Sequence, residues 1–236
     1  MTKLVFALGI LAVVGCDAAA FEAEPVSLQT DFAQGDDGWV ALFTNYPAGE
    51  ESFYEIDSGN RPVPPPLAGF GFLLTAMNHS DDINMHVTRQ VVGLVPGARY
   101  RASFRVTFAT NVPSGCLGVG GSPGEGVTVH AAASTERPRV GADGYGLSLA
   151  SDYQPVGEFD SWYRAFGLGD IANGRSCDAS PLDESFMLKT LTSAADHASL
   201  TADEAGQAWL LVGTRSGYEA TSTLYYTRIE VGLRPE

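Results

Sequence analysis

From Ile83 to Phe108 apolar and polar side chains take turns. Ile83, Met85 and Val87 are apolar, and Asn84, His86 and Thr88 stand between them. A period of two predicts a strand. Gly93-Leu94-Val95-Pro96-Gly97 then interrupts the pattern, with Pro fixing φ and Gly97 supplying left-handed freedom for a turn. Beyond it Tyr100, Ala102, Phe104, Val106 and Phe108 alternate with Arg101, Ser103, Arg105 and Thr107. That spacing predicts a half-buried antiparallel strand, wet on its arginine face. Short runs of the same kind recur at Gly71–Thr75, Val127–His130, Tyr145–Leu149, Trp162–Phe166, Phe186–Leu191, Ala208–Thr214 and Thr223–Val231. Tyr54–Ile56 is a further short run that ends at Ser58-Gly59-Asn60, and Arg61–Pro66 (RPVPPP) reads as a stiff, extended connector. Only Ala194–Gln207 has room for a helical turn, with Gly206 closing it. Many short strands separated by turn signals predict an all-β antiparallel sandwich or barrel. The span from Leu28 to Leu233 is read as one domain.

The N-terminus is patterned differently. Lys3 is the only charge before Cys16, and Leu4–Val14 is an unbroken apolar run. A spanning helix needs about 20 apolar residues, so a run this short reads as the core of a secretory signal. Val13-Val14-Gly15-Cys16 resembles the lipobox of bacterial lipoproteins. The resemblance implies a signal peptide over residues 1–15, a diacylglycerol thioether on Cys16 and acylation of the new amino group. Residues 16–27 then form the lipidated N-terminus and its tether. The alternative is an ordinary signal peptide cut near Ala18–Ala20, with Cys16 discarded. Lipidation implies a cell-envelope protein facing the periplasm or the exterior, with the lipid bilayer as its first partner. Asp17 is associated with retention at the inner membrane in enteric bacteria, and points there if the source is enteric-like.

A second resemblance rests on Val91–Tyr100 (VVGLVPGARY) leading into Ser103–Val106. It is similar to the strand–GLxPGxxY–strand hairpin of galactose-binding-like jelly rolls, which carbohydrate-binding modules share and which also occurs in fibronectin-like domains. Asp31-Phe32 with Gly38-Trp39 resembles their opening strand, and Tyr225–Val231 their closing one. Together these cover about a fifth of the chain. They imply an antiparallel β-sandwich of jelly-roll type and a glycan as a further partner. Members often hold a structural calcium between opening and closing strands, where Asp31 would contribute. Thr227 and Arg228 occupy places that are commonly acidic, and Arg228 would repel the ion. The domain also resembles a family of bacterial envelope proteins sharing Asn78–Asp82 and Gly169–Gly174, a likeness that brings no activity with it.

Composition narrows the partners. The chain of 236 residues has a net charge of −14, with 14 Lys and Arg against 28 Asp and Glu. Removing Lys3 makes it −15. An acidic domain repels phosphate backbones, which argues against nucleic acid. It argues equally against a peripheral grip on anionic lipid and leaves anchoring to the acyl chains. Beyond Cys16 the cysteines are Cys116 and Cys177, both in Gly- and Ser-rich loop sequence. In an oxidising compartment they would pair across 61 positions, the alternative being two buried thiols.

Candidate chemistry is sparse. Asn78, His79, Asp81 and Asp82 crowd a loop between apolar strands, where they can ligate calcium, bond sugar hydroxyls or simply form an Asx turn. Trp162 and Tyr163 are the rings best placed to stack on a sugar, with core packing as the alternative. The glycine-rich stretch Gly115–Gly126 lacks the Gly-Lys-Ser/Thr ending of a phosphate loop and reads as structural. The four histidines are scattered and no catalytic motif appears, so no catalytic residue and no cofactor other than calcium is assigned. The favoured function is a non-enzymatic glycan-binding module. A structural or interaction lipoprotein of the envelope is the first alternative, and a carbohydrate-active enzyme using a carboxylate pair the second.

Overall fold

A computed structural model describes residues 22–79, 83–141, 147–148, 166–179, 182–193 and 198–236. Two antiparallel sheets face each other. The larger has seven strands. At its centre β6 (Arg99–Thr110) lies beside the long β14 (Thr221–Pro235). β14 is flanked on its far side by β4 (Phe70–Met77) along its first half and β1 (Val26–Asp31) along its second, and β3 (Asp57–Pro62) closes the edge beyond β4. On the other side of β6 stand β11 (Met187–Thr192) and β12 (Ala198–Thr201). The smaller sheet runs β10 (Phe166–Asp170), β7 (Val127–Ser134), β13 (Ala208–Ser216), β5 (Asn84–Val91), β2 (Val40–Thr44). A short pair, β8 (Arg139–Val140) and β9 (Leu147–Ser148), stands apart. The fold is thus an all-β antiparallel sandwich of jelly-roll type.

The core lies between the sheets and follows the period of two. Tyr100, Ala102, Phe104, Val106 and Phe108 of β6 point into it, opposed by Met85 and Val87 of β5, Val129 and Ala131 of β7 and Leu210 and Val212 of β13. The arginine face of β6 is wet, as its alternation predicts. β5 departs from that rule, because Asn84, His86 and Thr88 are as deeply buried as the apolar residues between them.

Three expectations are corrected. Val91–Tyr100 is no hairpin, since β5 and β6 belong to different sheets. The turn crosses from one to the other, and its backbone is satisfied by a neighbouring loop: Leu94 N–H donates to Gly206 O and Gly97 N–H to Ala202 O. Tyr54–Ile56 lies in and just after a turn, and Ser58-Gly59-Asn60 with Arg61 and Pro62 form strand β3. That strand is at the sheet edge, where a proline and a glycine break no second ladder. Within Ala194–Gln207, residues 198–201 are a strand pairing with β6, and a turn capped by the Asp203 carboxylate follows. The main connections between the strands gather at two ends. Residues 45–56, 78–79, 111–126, 171–179, 182–186 and 217–220 cluster at one, and the N-terminal end of β1 lies at the other, opposite Leu233.

Candidate functional site

The crowded end is built around a disulfide. Cys116 and Cys177 are bonded. Ser114 N–H donates to Arg175 O at 2.7 Å and Cys177 N–H to Ser114 O at 3.0 Å, a one-rung parallel bridge beside the sulfurs. Asn173 N–H donates to Val112 O at 2.8 Å, and Arg175 reaches Asp183 at 2.7 Å. The glycine-rich stretch then lies against the turn between β13 and β14. Glu219 N–H donates to Val119 O at 2.9 Å, and a Cβ at Gly118 would overlap the Tyr218 ring. Glu125 ties the stretch internally, accepting from Ser122 Oγ and Gly115 N–H, bonds that hold its carboxyl below the usual range. The glycines therefore permit close packing against the turn between β13 and β14.

Beside this loop lies a cavity of about 200 Å³ whose lining includes Pro113, Cys116, Pro123, Tyr218 and Glu184. Asn111, Thr221 and Ser222 add an amide and two hydroxyls. Ser222 is only 3% exposed, and its Oγ has no hydrogen-bond partner among the described residues. A buried hydroxyl left unpaired is costly unless a ligand or water completes it. A ring, an amide, a carboxylate and hydroxyls are groups that can hold a sugar. Among the described residues that line the cavity, Glu184 is the one carboxylate.

The residues singled out in the sequence fall in different places. Asn78 is buried, and its amide donates to Ser216 O and Tyr218 O, both at 2.9 Å. Its side chain is turned away from solvent. Its effect on the cavity is indirect, because it fixes the turn that carries Tyr218. His79 is exposed and stacks on Phe53, with centroids 4.1 Å apart, while its Nε2 meets Phe53 O at 3.1 Å. Phe53 is itself 57% exposed. Asp81, Asp82, Trp162, Tyr163 and Cys16 lie outside the described residues. Asp31 caps Ala33 N–H at 3.0 Å and faces Arg228 at 3.7 Å, so a guanidinium stands where calcium was considered. No group of three or more His, Cys, Asp or Glu suited to a metal occurs among the described residues.

Two histidines that look scattered in the sequence meet in the structure. His86 and His130 flank Gly213 of β13, and their Nε2 atoms are 2.8 Å apart. Burial pushes both down, His130 to about 4 with a further contribution from Arg215, and His86 well below its ordinary value with a contribution from His130. Both are neutral, and one ring N–H donates to the other ring nitrogen. Tyr218, Glu184 and Asn111 escaped the sequence reading for a simpler reason. Each sits in a separate loop without a local pattern, and only the fold brings them together.

No family model matches the chain, and no curated protein matches it. Among solved structures it is similar to a carbohydrate-binding module that recognises mannan, at 10% identity and TM-score 0.40, covering 90% of this chain and 99% of that one. A module in complex with β-1,4-galactotriose is 9% identical with TM-score 0.38, over 85% and 92%. A structure described with the carbohydrate-binding modules of the β-sandwich superfamily is 14% identical with TM-score 0.37, over 84% of this chain. This chain spans 58% of its length. All three overlay loosely, and the sandwich assignment stands on this chain's own strand pairing.

Proposed function

We propose that the chain is a non-enzymatic saccharide-binding module, carried outside the cytoplasm on a lipid anchor at Cys16. The observation that carries the binding assignment is the stapled cavity, where the Tyr218 ring stands beside Asn111, Glu184 and an unpaired, buried Ser222 hydroxyl. A single sugar ring would lie against Tyr218 and direct hydroxyls to the amide and carboxylate. Ser222 would exchange its unmet hydrogen bond for one to the ligand. Loops tied by a disulfide lose little freedom on binding, which favours affinity.

A glycan array followed by calorimetry on the best hit tests this. Tyr218→Ala should weaken binding by roughly tenfold or more, corresponding to about 1.4 kcal/mol of lost stacking, measured below a melting temperature that is itself lowered because the ring also packs on Gly118 and the core. Undiminished binding by that variant, or no hit from well-folded protein, would refute the assignment. One observation favours the interaction reading instead. Leu117 and Val119 are 99% and 69% exposed on the same tied loop, an apolar tip of the kind that docks on another protein.

A further inference from the structure

Negative charge is concentrated at the loop-rich end. Its described loops, residues 45–56, 78–79, 111–126, 171–179, 182–186 and 217–220, carry eight carboxylates and one cationic residue, Arg175. With histidine counted as neutral they hold a net −7, half of the −14 of the whole chain. The Arg175 guanidinium is already engaged, 2.7 Å from Asp183 and donating to Ser185 O at 3.0 Å. Lys189 of β11 reaches the same loops and is held by Asp170 and Ala172 O, both at 2.7 Å.

Glu184 differs from the residues on either side of it. Asp183 and Ser185 are tied to Arg175, whereas the Glu184 carboxylate is exposed, lines the cavity, and has no hydrogen bond or ion pair among the described residues. Ser222, 3% exposed and with its Oγ unpartnered, lines the same space. Two unmet demands therefore meet in one cavity. The carboxylate calls for a cation, and the face of a tyrosine ring, here that of Tyr218, attracts one as well. The hydroxyls of Ser222 and Thr221 and the amide of Asn111 call for a partner that both donates and accepts hydrogen bonds. A metal ion answers only the first demand, and one carboxylate is too few to hold it. An acidic sugar answers the second, but Glu184 and the surrounding charge repel it. An ammonium carried on a polyol ring answers both.

We propose that the cavity selects an amino sugar with a free, protonated amine, a specificity that rests on the saccharide-binding reading above. The ammonium would lie on Glu184 with Tyr218 beside it, and the ring hydroxyls on Ser222, Thr221 and Asn111. N-acetylation removes the positive charge, so the acetylated sugar loses its attraction to Glu184. The carboxylates of the neighbouring loops raise the local concentration of a cationic ligand, an effect that salt screens.

The test titrates the full chain in detergent with the methyl glycosides of glucosamine, galactosamine and mannosamine, each beside its N-acetyl form and its parent neutral hexose. At least one of the amines should bind about fivefold or more tighter than both of its counterparts at low salt, and the preference should narrow at high salt. Glu184→Gln, a change at an exposed position, should abolish that preference and leave the neutral hexose bound as before. Hexoses bound with no preference for the amine, or a preference that survives Glu184→Gln, would overturn the amino-sugar specificity and leave the saccharide module standing. Absence of binding by these sugars and by the glycan array alike would overturn both. Spermidine bound as tightly as the best amino sugar, with the same dependence on Glu184, would overturn the proposal by showing a cation site with no recognition of the sugar.

Discussion

His86 and His130 show how a single missing side chain organises a sheet. They stand on strands separated by β13, and their rings approach across Gly213. A Cβ on Gly213 would overlap the His86 ring and lie 2.5 Å from Met85 O, so this position demands glycine. Alternation along β5 was legible and assigned His86 to the face away from Met85 and Val87. It could not reveal that this face is dry, nor that a histidine 44 positions away completes it, because neither fact has a local sequence signal. The pair makes the fold sensitive to acid. Unfolded, each imidazole takes up a proton near its ordinary value of 6.5, whereas folded His130 resists until about 4. Stability from the pair is therefore complete above pH 6.5 and is lost as the pH falls towards 4. Thermal melts from pH 7 to 5 should show a drop on the order of 5 °C, and His86→Gln with His130→Gln should flatten it. A parallel slope in both proteins would show that the pair stays protonation-silent.

At the level of strands and loops, legibility followed packing. β6, β13 and β14 alternate strictly or carry compact apolar runs, and all three appear where the pattern puts them. β3 was misread because an edge strand tolerates Gly59 and Pro62, residues that signal a break elsewhere. The Gly93–Gly97 turn was legible as a turn, but a turn that links sheets looks the same in sequence as one that closes a hairpin. The cysteines were readable as a pair only through their loop setting and inferred compartment, and the bridge between Cys116 and Cys177 is present. Closing 61 positions of chain contributes about 4 kcal/mol on the chain-entropy account. Cys116→Ser with Cys177→Ser should lower the melting temperature on the order of 10 °C and loosen the cavity they wall. An unchanged melt would mean that the bridge constrains neither folded loops nor unfolded chain.

Across the whole molecule the candidate chemistry is sorted by position. The cavity and the apolar tip of Leu117 and Val119 occupy the loop-rich end, and the N-terminal end of β1 lies at the opposite one. Thr221 to Leu233 of β14 covers roughly 40 Å, which separates the cavity from the N-terminal end of β1. This arrangement gives the lipid anchor a specific test: Cys16→Ser should move the protein from the detergent phase to the aqueous phase while leaving saccharide affinity unchanged. Continued partitioning into detergent would rule out the thioether anchor. The sequence showed the separate pieces of this layout, but their placement depends on strand order, which no single segment encodes.

The pairing of β1 with β14 has a mechanical outcome. Under the proposed anchoring, a pull on Val26 resisted by a saccharide held in the loop-end cavity would run parallel to both strands. All six residue pairs from Val26–Leu233 to Asp31–Arg228 would then share the load in shear instead of opening one after another like a zip. A module joined to its support in this way should hold a taut polymer longest when the tension follows its long axis.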